Sequence, residues 1–169
     1  MPIAKGMTSG YLPMGGVVVR DEVVQTLNEG GEFYHGFTYS GHPVAAAVAL
    51  ENIRILREEK IVERVKAKTA PYLQSRWQEL AEHPLVGEAR GVGMLGALEL
   101  VKDKKTRERF AEPGVGMLCR QHCFQNGLVM RAVGDTMIIS PPLVINEEEI
   151  DELIVKARRC LDATAADVK

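Results

Sequence analysis

The sequence predicts an α/β chain in two parts: the tail of a larger α/β domain in residues 1–69 and a small α+β domain in residues 70–169. The first part offers one short strand and its helices, which cannot make a stable parallel sheet alone. The second part mixes helix and strand patterns over about 100 residues, a common domain size. We place the boundary near Thr69, within a long helical region.

Composition and charge narrow the class of protein. The 169 residues are 46% hydrophobic and 26% charged, which is typical of a folded globular chain. A formal net charge of −2 gives no excess that favours nucleic acid or an anionic membrane. No apolar stretch approaches the roughly 20 residues that span a bilayer, and no signal peptide pattern begins the chain. We therefore expect a cytoplasmic protein with small-molecule substrates.

The first part begins with a glycine-rich loop. Residues 16–19, a glycine followed by three valines, predict a short buried strand. Asp21 is the predicted N-cap of a helix over residues 22–27, and glycines at positions 30 and 31 end it. An alanine-rich amphipathic helix then follows over residues 44–56.

A helix over residues 61–80 spans the predicted boundary, and His83 and Pro84 end it. Residues 86–90 and 91–100 predict two strands, and the repeated glycines between and within them indicate a bulge or close backbone approach. A helix over residues 115–125 ends at Asn126 and Gly127.

A hairpin and a last helix complete the pattern. Residues 128–132 and 136–139 predict strands around a turn at Gly134 and Asp135. The final helix carries apolar residues at helical spacing, namely Ile150, Leu153, Ile154, Ala157 and Leu161.

The cysteines favour reduced thiols over a disulfide framework. Cys119, Cys123 and Cys160 are odd in number and form no pair separated by two residues. Cys119 and Cys123 share a helix face beside His122, so a metal site is conceivable, but no fourth ligand stands near. We predict no metal and assign the cysteines to the core or the surface.

The first candidate for chemistry is a lysine in a loop of small residues. Lys5 lies within residues 3–16, which contain four glycines. A lysine in such a loop is most often a solvated surface charge. If Lys5 is buried, its neutral amine becomes a nucleophile toward carbonyls, and the small neighbours leave room for a cofactor.

Two further segments carry candidate binding residues. Residues 35–43 place three hydroxyls before the alanine-rich helix, a pattern that suits a phosphate; for Ser40 and His42 we favour helix capping and a tight turn. Thr38 is less easily assigned to capping. Arg131 interrupts an apolar strand, so it either snorkels or pairs with Asp135, or it binds a substrate carboxylate through its planar donor fork.

These segments, in this order, resemble the class III aminotransferases, most closely those that use putrescine or other polyamines and ω-amino acids with pyruvate. The matching motifs are residues 4–11, 36–43 and 130–135, with Pro141, Pro142 and Leu143 following. The resemblance covers essentially the whole chain. It implies the carboxy-terminal part of a type I fold of pyridoxal-phosphate-dependent transferases, with the end of the large domain and the small domain.

The resemblance implies a role for each candidate. Lys5 would form the Schiff base with pyridoxal 5'-phosphate and shuttle the proton. Thr38 would bind the cofactor phosphate from the neighbouring subunit of a homodimer, with Phe37 beside it. Arg131 would bind the carboxylate of the keto-acid acceptor and swing aside for a diamine donor. The implied reaction moves an amino group from a putrescine-like diamine or an ω-amino acid to pyruvate in two half-reactions.

The resemblance also implies a longer parent enzyme. Family members carry a long segment before the position of Lys5, which supplies the carboxylate at the pyridine nitrogen, a stacked aromatic ring and a phosphate loop; no residue here is assigned those roles. The chain alone could therefore be inactive. The alternative is a non-enzymatic, self-associating α+β module that exposes apolar residues such as those at positions 17–19. A metal-binding regulator built on the cysteines ranks last.

Overall fold

The computed structural model describes residues 1–30, 33–111 and 114–168. The chain divides into two compact units, Met1–Lys60 and Ile61–Lys169. The boundary that the sequence predicts, after Thr69, lies within the second unit. The division into the tail of a large domain and a small domain stays a prediction.

The first unit contains a small two-stranded antiparallel sheet. Strand β1, Pro2–Ala4, pairs with β2, Gly15–Val17, so that Ile3 lies opposite Gly16. The predicted strand over residues 16–19 was wrong in two respects. The observed strand begins one residue earlier than predicted and ends at Val17. The valines are also not buried, because Val17, Val18 and Val19 are 67%, 52% and 46% exposed. Within the described residues β2 pairs only with β1, so these valines lack the layers that would bury them.

Two helices follow in the first unit. Helix α1, Asp21–Gly30, begins at Asp21, the residue predicted as its N-cap. The carbonyl of the preceding residue, Arg20, accepts from the N–H groups of Val23 and Val24. Its apolar side chains are exposed. Helix α2, Pro43–Glu58, confirms the predicted alanine-rich helix, and Pro43 occupies its first turn, where a missing N–H costs nothing.

The second unit begins with a continuous helical region that changes geometry along its length. It consists of α3, Ile61–Arg64, a π-helical stretch, Val65–Thr69, helix α4, Ala70–Gln78, and a 3₁₀ turn, Glu79–Glu82. The sequence predicts this region and its end at His83 and Pro84. Periodicity does not predict the π-helical stretch.

Four antiparallel strands form the sheet of the second unit. They are β3, Val86–Val92, β4, Leu95–Leu100, β5, Arg131–Val133, and β6, Thr136–Ile139. Their order in the sheet is β3-β4-β6-β5. The β5–β6 hairpin turns at Gly134 and Asp135, as predicted, although β5 begins three residues later than predicted and lies at the edge.

Two helices pack beside this sheet. Helix α5, Val115–Gln125, has the predicted bounds, and helix α6, Glu147–Asp167, confirms the final helix. The side chain of Asn146 accepts from the N–H of Glu149, whose carboxylate accepts from the N–H of Asn146. This reciprocal capping box satisfies two otherwise free donors at the start of α6.

The core of the second unit lies between its helices and the sheet. Fully buried members include Leu73, Trp77, Leu98, Met137, Ile150 and Leu161. Gly96 confirms the predicted close approach, because a Cβ there would lie 2.8 Å from the Trp77 ring. At the α4–α6 contact, Asp151 accepts from the Tyr72 hydroxyl and from Arg76 Nε, both at 2.8 Å. Among the described residues, no helix has the length and apolar character needed to cross a membrane.

Candidate functional site

The candidate lysine lies where β1 ends and a short 3₁₀ turn, Lys5–Thr8, begins. The backbone is left-handed at Lys5, with φ at 55°, and again at Ser9, with φ at 51°. A non-glycine residue in this region is uncommon and is held there by its surroundings. Lys5 is exposed, so the described chain alone does not bury its amine.

Hydrogen bonds within the loop give this turn its shape. Thr8 is buried, and its hydroxyl donates to the carbonyl of Leu12. The N–H of Ser9 donates to the carbonyl of Gly6, and the N–H of Tyr11 donates to that of Thr8. The loop therefore has a fixed backbone, whereas the exposed Lys5 side chain makes no hydrogen bond or ion pair with the described residues.

One contact of this loop was not predicted from the sequence. Asn52 of α2 donates from Nδ2 to the carbonyl oxygens of Gly6 and Met7, at 2.9 and 3.1 Å. No spacing in the sequence signals this contact, because 45 residues separate Asn52 from Met7 and the acceptors are backbone atoms.

The predicted phosphate segment forms a turn before α2. The N–H of Phe37 donates to the hydroxyl of Ser40 at 3.0 Å, and the N–H of Ser40 donates to the carbonyl of Phe37 at 2.9 Å. The tight turn predicted for this segment is present. The predicted capping by a side chain is absent, because His42 occupies the N-cap position of α2 and its side chain makes no capping hydrogen bond.

The two candidate residues in this turn are accessible. Phe37 is 76% exposed, and its ring packs edge-on against His35, with centroids 5.5 Å apart. Thr38 is exposed, and its hydroxyl has no hydrogen-bond partner among residues 1–30, 33–111 and 114–168. A free hydroxyl on an exposed turn can bind an incoming acceptor such as a phosphate oxygen.

The lysine loop and the turn line a common cavity of about 300 Å³ within the first unit. Its wall includes Pro13, Met14, Gly15, Phe37, Ser40 and His42. The structure thus brings residues 13–15, at the end of the lysine loop, beside the second motif. Neither Lys5 nor Thr38 lines this cavity.

The candidate arginine lies in the second unit, at the start of edge strand β5. Arg131 pairs in register with Ile138 and is exposed. Its predicted alternative partner, Asp135, instead accepts from the N–H groups of Gly114 and Gly116, at 3.3 and 2.9 Å. Within the part of the chain that the structure describes, the Arg131 guanidinium has no ion-pair partner. It is therefore available for a carboxylate.

The cysteine cluster lies in the core between α5 and α6. Cys119, Cys123 and Cys160 are free thiols and all are buried. Hydrogen bonding to Cys119 and burial raise the pKa of Cys123, and burial raises the pKa of Cys160. His122 instead pairs with Asp167 at 2.9 Å. Among the described residues, no three His, Cys, Asp or Glu side chains are arranged to hold a metal ion.

Comparison with protein families gives one match over nearly the whole chain. The model of the family described as aminotransferase class-III matches residues 1–161. This match includes all four candidate residues, Lys5, Phe37, Thr38 and Arg131.

Two curated relatives show how much of a longer protein the chain covers. Putrescine–pyruvate aminotransferase of Pseudomonas aeruginosa is 83% identical over 168 residues, which are 99% of this chain and 37% of that protein. Gamma aminobutyrate transaminase 1, mitochondrial, of Solanum lycopersicum is 44% identical over 157 residues, which are 90% of this chain and 30% of that protein. The chain thus spans about a third of the length of these relatives.

Solved transaminase structures share the fold. The PMP-bound form of an aminotransferase from Vibrio fluvialis matches with a TM-score of 0.91 at 35% identity, over 99% of this chain and 38% of that one. A thermostable omega transaminase mutant from Pseudomonas jessenii matches with a TM-score of 0.88 at 37% identity, over 97% of this chain and 37% of that one. The predicted fold class, part of a type I transferase fold, is confirmed.

Proposed function

The chain belongs to the class III aminotransferases, as its sequence predicts, and from this premise we propose that it is the lysine-bearing part of an enzyme that transfers an amino group from a diamine to pyruvate. The family is dependent on pyridoxal phosphate. The observation that carries the proposal is the 83% identity, over 99% of this chain, to a putrescine–pyruvate aminotransferase. Because the chain covers 37% of that relative, the donor, the acceptor and the activity of the whole protein are part of the proposal.

Lys5 is the proposed point of covalent attachment for the cofactor. Its amine is exposed on a turn with a fixed backbone, and a Cβ added at the neighbouring Gly6 would meet nothing within 4 Å. This open space at Gly6 supports the placement of a bulky aldehyde beside Lys5. When bound, pyridoxal phosphate supplies an electron sink for the substrate carbon. The amine of Lys5 then carries a proton between two positions, a task that needs a fixed attachment and a mobile side chain.

Thr38 and Phe37 are the proposed contacts to the cofactor phosphate. The Thr38 hydroxyl has no partner among the described residues and lies on an exposed turn before α2. In the proposed homodimer this turn serves the site of the neighbouring subunit, with Phe37 beside the phosphate. The 76% exposure of Phe37 supports a contact with a partner, because an aromatic ring gains most when it is covered.

Arg131 is the proposed recognition group for the keto acid. A guanidinium without an ion-pair partner among the described residues retains its full capacity to bind a carboxylate through two parallel hydrogen bonds. Its place on an edge strand leaves room for the side chain to move. This mobility suits a site that accepts a carboxylate in one half-reaction and a diamine in the other.

One specific observation favours the alternative function, a non-enzymatic self-associating module. The apolar residues Val17, Val18 and Val19 are exposed, together with Val23 and Val24 of α1. Exposed apolar surface of this kind promotes association between chains. The module would associate without any dependence on pyridoxal phosphate.

The test is the visible absorbance of the purified chain after incubation with pyridoxal phosphate and desalting, with Lys5→Ala as the matched control. We expect an absorbance that requires Lys5, and borohydride reduction followed by peptide mass analysis should locate the adduct at this residue. Retained, Lys5-dependent absorbance justifies an assay of amine transfer to pyruvate. A colourless chain that still self-associates would overturn the proposal in favour of the interaction module.

A further inference from the structure

We propose that Asn52 is a positioning residue for the reactive lysine, an inference that rests on the proposed role of Lys5. The side-chain nitrogen of Asn52 donates to two consecutive carbonyls, those of Gly6 and Met7. These are the first two carbonyls after Lys5. Asn52 thereby ties the backbone that carries the lysine to the middle of α2.

The chemistry of the contact requires an amide. Two acceptors on one nitrogen need a group with two N–H bonds, which the amide of asparagine has and a hydroxyl lacks. A carboxylate cannot donate at all, and it would face two carbonyl oxygens. The half-buried Asn52 lies within a helix of 16 residues, so its Cα is a firm anchor for the loop.

The loop needs such an anchor because its backbone is unfavourable at the lysine itself. Lys5 has a left-handed φ of 55°, a conformation that residues with a Cβ adopt at a cost. The N–H of Ser9 also donates to the carbonyl of Gly6, and the N–H of Tyr11 donates to that of Thr8. The Asn52 amide adds a side-chain hydrogen bond to each of the two carbonyls that follow Lys5. We infer that loss of this amide lets the turn relax toward ordinary backbone angles.

Relaxation of the turn changes the direction of the Lys5 side chain without removing the amine. Attachment of an aldehyde to a lysine depends on how often the amine lies in the productive geometry. Asn52 therefore influences the reaction through Lys5 and does not touch the reacting atoms. This separates it from a catalytic residue.

The experiment compares Asn52→Leu, which removes both donors at nearly the same size, with Asn52→Gln, which keeps them on a longer arm. Asn126→Leu is the matched control, because Asn126 also donates its amide to a backbone carbonyl, that of His122, but in the second unit. The first readout is hydrogen exchange of the amides in residues 5–12 without cofactor. We expect about five-fold faster exchange in Asn52→Leu, a smaller rise in Asn52→Gln and no change in the control.

The second readout uses pyridoxal phosphate as the probe. Borohydride trapping measures the fraction of Lys5 that carries the cofactor, and absorbance against pH measures the pKa of the attached group. We expect Asn52→Leu to lower the trapped fraction and to shift this pH profile, with Asn52→Gln between it and the unchanged protein. A merely structural contact would not move the pH profile.

The outcomes separate the two proposals. If the unchanged protein traps cofactor at Lys5 and Asn52→Leu does so equally, with the same pH profile, the role of Asn52 is overturned and the proposed function stands. If the unchanged protein traps none at Lys5, the proposed function fails and the positioning role fails with it. Faster exchange would then describe only a structural clamp.

Discussion

The imidazole Nε2 of His83 lies 3.2 Å from a carboxylate oxygen of Asp162 on α6. The other ring nitrogen, Nδ1, accepts the backbone N–H of Leu85 at 3.1 Å. A nitrogen that accepts this bond carries no proton, so the ring is neutral with its hydrogen on Nε2. Burial lowers the pKa of His83, although Asp162 opposes this effect and the charges of Arg158 and Lys104 reinforce it.

A pH dependence of stability follows from this relationship. Because the folded pKa lies below the unfolded value of about 6.5, the unfolded chain binds the proton more readily. The contribution of neutral His83 is fully present above that pH and is lost as the pH falls through the folded pKa. We therefore expect the free energy of unfolding, measured by chemical denaturation, to decline as the pH falls below about 6.5.

His83→Gln should remove this component of the decline, because glutamine has no titratable ring. His35→Gln is the matched control, since His35 is an exposed residue of the first unit. An equal decline in His83→Gln and in the unchanged protein would refute the assignment to His83.

The contact between Gly96 and Trp77 predicts a large effect from one methyl group. A Cβ at Gly96 would lie 2.8 Å from the buried indole ring and 3.0 Å from Ile139. The Trp77 ring cannot move easily, because its Nε1 also donates a hydrogen bond to the carbonyl of Ala97. We expect Gly96→Ala to lower the free energy of unfolding by about 1–3 kcal/mol, as overpacking of a core does.

The measurement is a pair of denaturant unfolding curves, with Gly30→Ala as the matched control. A Cβ at Gly30 would meet nothing within 4 Å, so we expect a change of less than about 0.5 kcal/mol there. A Gly96→Ala protein as stable as the control would show that the sheet can shift away from Trp77.

The buried thiols predict a sharp difference between native and unfolded labelling. Cys119, Cys123 and Cys160 are each at most 1% exposed. The reactive species is the thiolate, which burial also disfavours at Cys160 by raising its pKa. We expect a disulfide reagent to label almost none of them in the native protein and all three in denaturant. Rapid labelling of one thiol without denaturant would mean that the α5–α6 contact opens readily.

The sequence predicts well those elements whose pattern is local. Helix α5 has the predicted bounds, and the apolar spacing of α6 places Ile150 and Leu161 in the core. The β5–β6 hairpin forms at its predicted turn, Gly134 and Asp135. Each of these elements shows its periodicity or turn residues within a few positions, so neighbours in sequence suffice to define it.

Elements that depend on partners distant in the sequence cannot be predicted from local sequence patterns. The three-residue strand β1 exists because it pairs with β2, and no pattern within Pro2–Ala4 indicates it. The same dependence explains why the valines at positions 17–19 are exposed although their composition predicts burial. In the candidate site, motif matching proposes Lys5 and Thr38 as site residues, but the Asn52 contact can be seen only in the folded backbone.

The accessible guanidinium of Arg131 predicts a specific kinetic defect. Removal of a charge-assisted hydrogen-bonding pair to the keto-acid carboxylate costs about 1.5–3 kcal/mol, which corresponds to a rise of about ten- to hundred-fold in the KM for pyruvate. In the whole enzyme that contains this chain, we expect Arg131→Met to show this rise in steady-state transfer from putrescine to pyruvate, while the KM for the diamine, which has no carboxylate, stays unchanged. Arg109→Met is the matched control, because Arg109 pairs with Glu99 at 3.2 Å and is already engaged. Equal KM values for pyruvate in the two variants would exclude Arg131 as the carboxylate-binding group, since a general loss of positive charge would then account for both.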